Sequence, residues 1–231
     1  MRVLAIDVGG TSVKILATGQ SEPRRFASGP TMTPENMVTG VKELAGTWKY
    51  DVIALGYPGR VSNGRIVLEP KNLAPGWVDF DFAAAFGCPV RIINDAAMQA
   101  LGSYQGGLLL FLGLGTGLGA AVVADGVVIP MELAHLSCKN HTYEHYLGVR
   151  ALRRFGRKKW RKYVAFGAER LIEALHPDDV VLGGGNARQL KKLPERCRLG
   201  DNALAFLGGF RLWEEQPAQQ PPSPSRARRR S

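Results

Sequence analysis

One pattern occurs twice in the chain: a short apolar strand, a loop of glycine and threonine, and a second apolar strand. The first copy runs through Asp7–Thr11 into residues 13–17, and the second through Gly113–Gly119 into residues 120–124. Glycine lets backbone N–H groups approach a ligand closely, and threonine adds a hydroxyl donor. A Rossmann loop opens a helix instead, and a Walker A loop needs Gly-Lys-Ser/Thr. The repeat therefore predicts a duplicated α/β protein with one phosphate-binding turn in each half.

The spacing of apolar residues predicts alternating strands and helices around these loops. We predict strands at 2–6, 52–55, 90–93, 108–112, 127–129 and 180–182, and helices from Pro34 and at 80–86, 96–104, 143–175 and 202–212. The pattern restarts near Gly106. We therefore expect an N-terminal lobe at 1–105 and a C-terminal lobe at 106–201, with the final helix, about 202–213, able to pack back on the first lobe.

The charge of the chain favours anionic partners. The formal net charge is +10, from 30 Lys and Arg against 20 Asp and Glu. Residues 214–231 hold four Arg and two Glu, which is +2, so the rest of the chain keeps +8. A basic body attracts polyanions, phosphorylated metabolites or nucleic acid. Residues 214–231 also hold four prolines, and we expect a disordered basic tail there.

The three cysteines, Cys88, Cys138 and Cys197, form no Cys-x-x-Cys pair and no Cys/His cluster. We therefore expect no zinc site and no disulfide framework, and a reduced cytoplasmic setting. The uncharged run at 108–124 is too short and too rich in glycine for a membrane span. No secretory signal is expected at the N-terminus, because no long apolar segment precedes Asp7.

The Asn94-Asp95 pair follows a predicted strand between the two loops. A carboxylate at a strand end can accept the proton of an attacking alcohol, so Asp95 is the candidate general base. Asn94 can hold a neighbouring hydroxyl. The alternative is that the pair caps the next helix, and both roles can hold at once. At the first loop, Asp7 can hold a hydrated Mg²⁺ and Lys14 lies on the following strand.

Two further segments carry candidate binding groups. Glu132 and His135, three residues apart, can bind adjacent sugar hydroxyls as hydrogen-bond acceptor and donor. The alternative is that Glu132 is a surface acid and that His135 makes its hydrogen bonds within the protein. A basic segment includes Arg153, Arg154 and the Lys158-Lys159 pair. It predicts an electrostatic groove for a long polyanion, against the alternative of a solvated helix face. No base-reading motif accompanies it, so specific nucleic-acid binding is not expected.

The order of these motifs, completed by Gly183-Gly184-Gly185, resembles the ROK family (repressor, open reading frame, kinase) of sugar kinases. Asn72 and Trp77 also match a sugar-contact segment, Asn-x-x-x-x-Trp, of its polyphosphate glucokinase branch. The resemblance implies an α/β, actin-like (ribonuclease H-like) two-lobed fold with an interlobe cleft. It implies transfer of a phosphoryl group to a hexose 6-hydroxyl, with Asp95 as base and Mg²⁺ as metal.

The resemblance also assigns roles to particular residues. Sugar contacts would come from Asn72, Asn94, Glu132 and His135. Glu144 would correspond to the final glutamate of the family's zinc motif, which also contacts the sugar. Phosphate or donor contacts would come from Gly9, Gly10, Thr11, Lys14, Gly115, Thr116, Gly117, Gly183, Gly184 and Gly185. The family's zinc motif, Cys-x-Cys-Gly-x-x-Gly-Cys-x-Glu, is missing, and polyphosphate-using relatives lack it too. Its absence favours that branch.

These observations lead to one prediction and one alternative. We predict a cytoplasmic hexose kinase, with glucose the favoured acceptor and polyphosphate or ATP the donor, without membrane association and with a homodimer left open. The alternative is a non-catalytic sugar- or polyanion-binding protein that retains the kinase fold. By this resemblance the chain is short for the family, which favours the alternative, whereas the intact Asp95 argues against it.

Overall fold

The protein is described here by a computed structural model of residues 1–214. The first half contains strands β1 (Val3–Val8), β2 (Ser12–Ala17) and β3 (Arg24–Ala27), helix α1 (Pro34–Ala45), strands β4 (Val52–Tyr57), β5 (Val61–Ser62) and β6 (Arg65–Ile66), helix α2 (Phe82–Phe86), strand β7 (Val90–Asn94) and helix α3 (Asp95–Ser103). Except for Glu214, the tail predicted at 214–231 lies outside the described residues.

The second half begins with strands β8 (Leu108–Leu114), β9 (Leu118–Ala124) and β10 (Val127–Met131). It continues with the small strands β11 (Ser137–Cys138) and β12 (His141–Thr142), helices α4 (Tyr143–Leu147) and α5 (Val149–Leu175), strands β13 (Asp179–Gly183) and β14 (Cys197–Leu199), and helix α6 (Leu204–Arg211). No helix within residues 1–214 is long and apolar enough to cross a membrane.

The two halves build five-stranded sheets of the same topology. The first has the order β3-β2-β1-β4-β7 and the second the order β10-β9-β8-β13-β14. In each, a three-stranded antiparallel meander is followed by two parallel strands. Parallel strands place their carboxyl ends on one edge, where ligands of α/β sheets bind. The predicted duplication is therefore present in the strand order itself.

Burial follows the sequence pattern of each strand. Strand β1 is buried along its whole length, and β2 alternates between buried and partly exposed residues, so it presents one face to the core. Helix α1 begins where the Thr33 hydroxyl accepts the Asn36 N–H and ends at Gly46, with φ of 55°. Its buried Met37 and Val41 lie one helical turn apart and face the sheet.

Helices α3 and α6 form a middle layer between the sheets. Helix α3 packs its alanines against β8 and β9, in one cluster with Ala205 of α6. Helix α6 packs against β1 and β4, where Gly209 meets Ala5 and Ala54. The outer faces are covered by α1 and α2 on the first sheet and by α4 and α5 on the second. The helix that begins at Asp95 is thus held from both sides.

The contact between α3 and α6 is a backbone-to-backbone crossing. A β-carbon on Gly102 would overlap the Leu204 carbonyl, and one on Gly208 would overlap the Met98 carbonyl. Arg211 then donates to the carbonyl oxygens of Leu101 at 2.8 Å and Tyr104 at 2.9 Å, at the end of α3. The chain therefore needs glycine at both positions for the helices to come this close.

The prediction of a seven-residue loop at Gly113–Gly119 is wrong, because the strands continue into it. Strand β8 extends to Leu114 and β9 starts at Leu118, which leaves a turn of residues 115–117. Gly113 and Gly119 are partners in the ladder. Gly119 is needed for close approach, since its β-carbon would lie 2.7 Å from that of Ala96.

Candidate active site

The strand-to-helix junction at β7 and α3 fixes the positions of Asn94 and Asp95. The Asn94 side-chain oxygen accepts the N–H groups of Ala96 at 3.0 Å and Ala97 at 3.2 Å, and its amide donates to the Gly59 carbonyl at 3.0 Å. Asn94 is therefore the helix cap, as the alternative interpretation of the pair allowed. Asp95 is the first residue of the helix, with its carboxylate in the N-terminal turn.

The environment of Asp95 raises its pKa to about 7. Burial is the largest cause, and the negative charge of Asp7 is the second. A hydrogen bond from the Ala96 N–H to the carboxylate, 2.7 Å long, acts in the opposite direction. A carboxylate with this pKa is ionised in about half of the molecules at neutral pH, which suits a group that accepts and returns a proton.

Asp7 lies at the end of β1, two strands away from β7 in the same sheet. It is one of the few buried charged residues in the described part of the chain. Its carboxylate accepts a hydrogen bond from Lys14 Nζ at 3.1 Å, across the β1–β2 ladder. The side chain of Lys14 is 34% exposed. Lys14 therefore forms a direct ion pair with Asp7.

The first loop is a tight turn closed by main-chain bonds. The Gly9 N–H donates to the Ser12 carbonyl at 3.0 Å, and Ser28 binds both ends of the turn through the carbonyls of Gly9 and Thr11. Thr11 is exposed at the tip. Asn72 packs on the turn, with its β-carbon 3.2 Å from the place a β-carbon of Gly10 would occupy. A predicted sugar residue and a predicted phosphate turn are thus adjacent.

A hydrated magnesium ion fits the carboxylates of this cleft. Asp7 and Asp95 are close enough for the charge of one to raise the pKa of the other. Mg²⁺ in kinases is bound through one or two carboxylates, waters and substrate phosphates. No cluster of three or more His, Cys, Asp or Glu side chains suited to a metal occurs within residues 1–214. Asp7, with Asp95 nearby, could hold such an ion through its waters.

The second loop is the three-residue turn at 115–117, and it adjoins the start of α3. The Gly115 N–H donates to the carbonyls of Gly113 and Gly117, both at 3.1 Å, and Thr116 is exposed at the tip. The contact between Gly119 and Ala96 sets this turn beside Asp95. The start of α3 therefore lies near both Asp7 of β1 and Gly119 of β9.

The Gly183–Gly185 segment packs against the second loop. Gly184 has φ of 80°, and a β-carbon there would lie 2.8 Å from the backbone of Leu114. Asn186, which the sequence motifs did not indicate, donates its backbone N–H to the Leu114 carbonyl and its side-chain amide to the Gly115 carbonyl, each at 3.0 Å. Its position directly after three glycines is the signal that identifies it.

Three of the five predicted sugar residues line cavities, and these three divide between two cavities. Asn94 and Glu132 line a cavity of about 810 Å³ between the β5–β6 hairpin, β7 and β10. His135 is exposed, three residues after Glu132. Glu144 instead lines a smaller cavity of about 300 Å³ with Thr116, and its carboxylate packs beside Gly117. Trp77 is fully buried in the first core, between Tyr57 and Phe82.

The four cations predicted to bind a polyanion are exposed on α5. They are Arg153, Arg154, Lys158 and Lys159. Gly156, with φ of 72°, interrupts helical geometry between the first two and the last two. Arg154 and Lys159 each lie over the ring of Phe155, at 5.3 Å and 5.2 Å. The basic surface therefore has two parts, and the part before Gly156 is the nearer in sequence to the second loop.

Comparison with known proteins agrees with this architecture. A sequence profile of the ROK family matches residues 3–130, more than half of the chain. The polyphosphate glucokinase of Mycobacterium tuberculosis (strain CDC 1551 / Oshkosh) is 29% identical over 209 residues, which cover 81% of this chain and 78% of the relative. The fructokinase of Pediococcus pentosaceus is 26% identical over an alignment of 263 residues, which covers 92% of this chain and 88% of the fructokinase.

Solved structures show the same fold. The inorganic polyphosphate/ATP-glucomannokinase of Arthrobacter sp. strain KM superimposes with a TM-score of 0.76 at 23% identity, over 90% of this chain and 96% of that one. The fold is the two-lobed, actin-like fold of the ROK sugar kinases. The similarity to polyphosphate glucokinase supports a phosphotransferase that acts on an alcohol acceptor. The chain belongs to the ROK family.

Proposed function

We propose that this protein is a hexose kinase that transfers a phosphoryl group from polyphosphate or ATP to the 6-hydroxyl of the sugar, with glucose the first acceptor to test. The observation that carries the proposal is Asp95, a carboxylate at the start of α3 with a pKa of about 7, beside the second loop and across from Asp7. The relatives named for glucose and polyphosphate support the choice of acceptor and donor.

In the proposed reaction Asp95 accepts the proton of the attacking hydroxyl. Asn72, Asn94, Glu132 and His135 would orient the sugar, and the Asn94 amide keeps one N–H beyond its bond to Gly59. Thr11, Thr116 and the backbone of the two turns would hold the donor phosphates. Mg²⁺, held through Asp7, would neutralise charge on the donor oxygens.

The position of Glu144 requires a separate proposal. Its carboxylate lies beside Gly117, at the second loop, and would repel a bare phosphate there. We propose that Glu144 contacts the sugar only when the lobes close, since closure brings the acceptor up to the donor loop. We also propose a reduced cytoplasmic setting, because the sequence spacing of Cys88, Cys138 and Cys197 suggests no disulfide framework.

The proposed function is tested by product formation. Purified protein is incubated with Mg²⁺, a panel of hexoses and either polyphosphate or ATP, and sugar 6-phosphate is measured. We expect product with at least one pair, and turnover that depends on the sugar. Binding of sugar or polyanion without product from any pair would exclude the kinase and favour the non-catalytic alternative.

The role of the basic surface is a separate prediction. A quadruple variant with glutamine at Arg153, Arg154, Lys158 and Lys159 should have a KM for polyphosphate raised by roughly tenfold or more. Its KM for ATP should rise by much less. A long polyanion contacts many cations at once, and each contact is weakened by salt. Steady-state kinetics with both donors, at two salt concentrations, measures the difference.

A matched control removes the same number of positive charges from a different part of the surface. Arg25, Arg65, Lys71 and Arg196 are exposed and lie outside α5. Glutamine at these four positions should leave the ratio of the two KM values unchanged. Equal effects of the two variants on polyphosphate would show that the basic face of α5 is only solvated surface.

A further inference from the structure

The connection between β6 and α2 carries Asn72 to the first loop. Residues 67–78 of this connection contain no helix and no strand. Asn72 is exposed in the middle of them, and its side chain packs on Gly10 of the first loop. No ladder of regular backbone hydrogen bonds therefore fixes the position of Asn72, and contacts made elsewhere in residues 67–78 must do so.

Both ends of this segment are anchored in the first half of the protein. Near its start, the hydroxyl of Tyr57 donates to the Leu68 carbonyl at 2.9 Å. Near its end, Trp77 is fully buried between Tyr57 and Phe82, with ring centroids 5.5 Å and 6.0 Å apart. The indole N–H of Trp77 has no hydrogen-bond partner within residues 1–214, so packing holds this ring. Trp77 therefore anchors the segment from inside the core.

The carboxylate of Glu69 joins the two ends of the segment. Its Oε2 atom accepts the N–H groups of Gly76 at 3.0 Å and Trp77 at 3.1 Å. Its Oε1 atom accepts the Val78 N–H at 3.2 Å. Hydrogen bonds to an ionised acceptor are roughly twice as strong as those between neutral groups. Three of them on one side chain close residues 70–75 into a ring and reduce the conformations open to them.

We propose that Glu69 is a positioning residue for the sugar: its carboxylate fixes residues 70–75, so that Asn72 is held on the first loop before the acceptor binds. The inference rests on the proposed kinase function, because it takes Asn72 to contact the sugar. Both carboxylate oxygens of Glu69 already accept backbone N–H groups, so Glu69 acts through the backbone and not on the sugar itself. A contact that is ordered in advance costs less entropy when the ligand binds.

This role affects binding of the sugar and leaves the chemical step alone. Without the Glu69 carboxylate, residues 70–75 sample more conformations, and sugar binding has to order them. Once the sugar is bound, Asn72 makes the same contact as before, and Asp95 is untouched. The loss should therefore appear in KM and in the dissociation constant for the sugar, while kcat and KM for the donor stay nearly the same.

The first experiment follows the segment without sugar and without donor. The Ala74 N–H donates to the Met32 carbonyl at 3.1 Å and makes no bond to Glu69, so its hydrogen exchange reports on the segment as a whole. Exchange of this amide is measured by NMR spectroscopy in the full chain and in Glu69→Ala. We expect exchange to be roughly tenfold faster in the variant, because local opening becomes more frequent.

The second experiment measures binding of the hexose panel by calorimetry, without donor. Glu69→Ala should bind each hexose that the unsubstituted protein binds roughly five- to twentyfold more weakly. Where turnover is observed, KM for the sugar should rise in proportion, with kcat within about twofold. Glu69→Gln keeps one side-chain oxygen as an acceptor and should recover part of the affinity and of the slow exchange.

Asp81→Ala is the matched control. Asp81 is also exposed, and its carboxylate accepts the Ala84 N–H at 2.9 Å at the start of α2. Its removal should leave Ala74 exchange and hexose affinity unchanged.

The outcomes separate this role from the proposed function. Unchanged Ala74 exchange in Glu69→Ala, or unchanged affinity for every hexose bound, would overturn the positioning role even if sugar 6-phosphate is formed. Absence of hexose binding by the unsubstituted protein would overturn both proposals. Hexose binding that depends on Glu69, without product from any donor, would refute the proposed function alone.

Discussion

Asp95→Asn is expected to lower kcat for sugar phosphorylation by about 10²- to 10⁴-fold, the range that general-base catalysis contributes. Asparagine keeps the size of the side chain and the first turn of α3, because the helix cap belongs to Asn94. Binding of sugar and donor should change little, so the loss should appear in kcat rather than in KM. Steady-state kinetics and calorimetric titration of the sugar measure the two quantities separately.

The same substitution should make the protein more stable at alkaline pH. The pKa of Asp95 is about 7 in the folded protein, against about 3.9 for an aspartate in an unfolded chain. The folded state therefore binds the proton more tightly, and this group costs stability as pH rises from about 4 to 7. Above pH 7 the free energy of unfolding of the variant should be higher by on the order of 1–2 kcal/mol. This is less than the difference in pKa alone would give, because solvent near Asp95 screens its charge.

Controls for Asp95 come from its pH profile and from a conservative variant. In the unsubstituted protein kcat/KM should rise tenfold per pH unit below about pH 7 and then level off. Asp95→Glu, which keeps the carboxylate and moves it by one methylene, should retain more activity than asparagine. If asparagine left kcat within a few-fold of the original value, Asp95 would not be the base.

Gly208→Ala is expected to destabilise the protein by at least about 3 kcal/mol, and Gly102→Ala by a similar amount. Each new methyl group would overlap a backbone carbonyl of the other helix, which no side-chain rotation can relieve. The helices would have to separate, and the packing of α3 and α6 against both sheets would be lost. Urea denaturation of the two variants measures the change in the free energy of unfolding.

Gly185→Ala is the matched control for these two substitutions. A methyl group on Gly185 would meet no atom of the described residues within 4 Å, and its φ is not positive. Alanine there should therefore change stability by less than about 1 kcal/mol. An unfolding midpoint for Gly208→Ala equal to that of Gly185→Ala would show that α3 and α6 do not touch as described.

The repeated strand-loop-strand pattern predicted the two sheets, because buried strands and their turns are local features. Asp125-Gly126 adopts the positive φ values of a hairpin turn, 51° and 76°, between β9 and β10. Helix α1 and the strand before Asn94 were also predicted from the sequence, because their apolar patterns are local features as well. By contrast β3 and β14 were missed: β3 is mostly exposed and carries two arginines, and β14 is three residues long. Their pairing depends on neighbours far away in the chain.

The site was predictable in its residue types but less so in its geometry. The sequence identified Asn94-Asp95 without deciding which residue caps the helix, since that depends on the backbone angles at the junction. It did not show that Lys14 pairs with Asp7, because a cross-strand contact requires the register of β1 and β2. The separation of Glu144 from Glu132 and the stacking of His141 on His145 result from tertiary packing.

The middle layer of α3 and α6 has a consequence for the synthesis of the chain. A ribosome makes residues 1–203 before the first residue of α6, so the inner face of the first sheet and the surface of α3 around Gly102 stay uncovered until then. The apolar surface around Ala5 and Ala54 is open to chaperones or to other chains during that interval. The carboxylate of Asp95 therefore reaches its final surroundings only near the end of translation. A nascent chain that stops before Leu204 has both loops, but the side of α3 that α6 covers is still open.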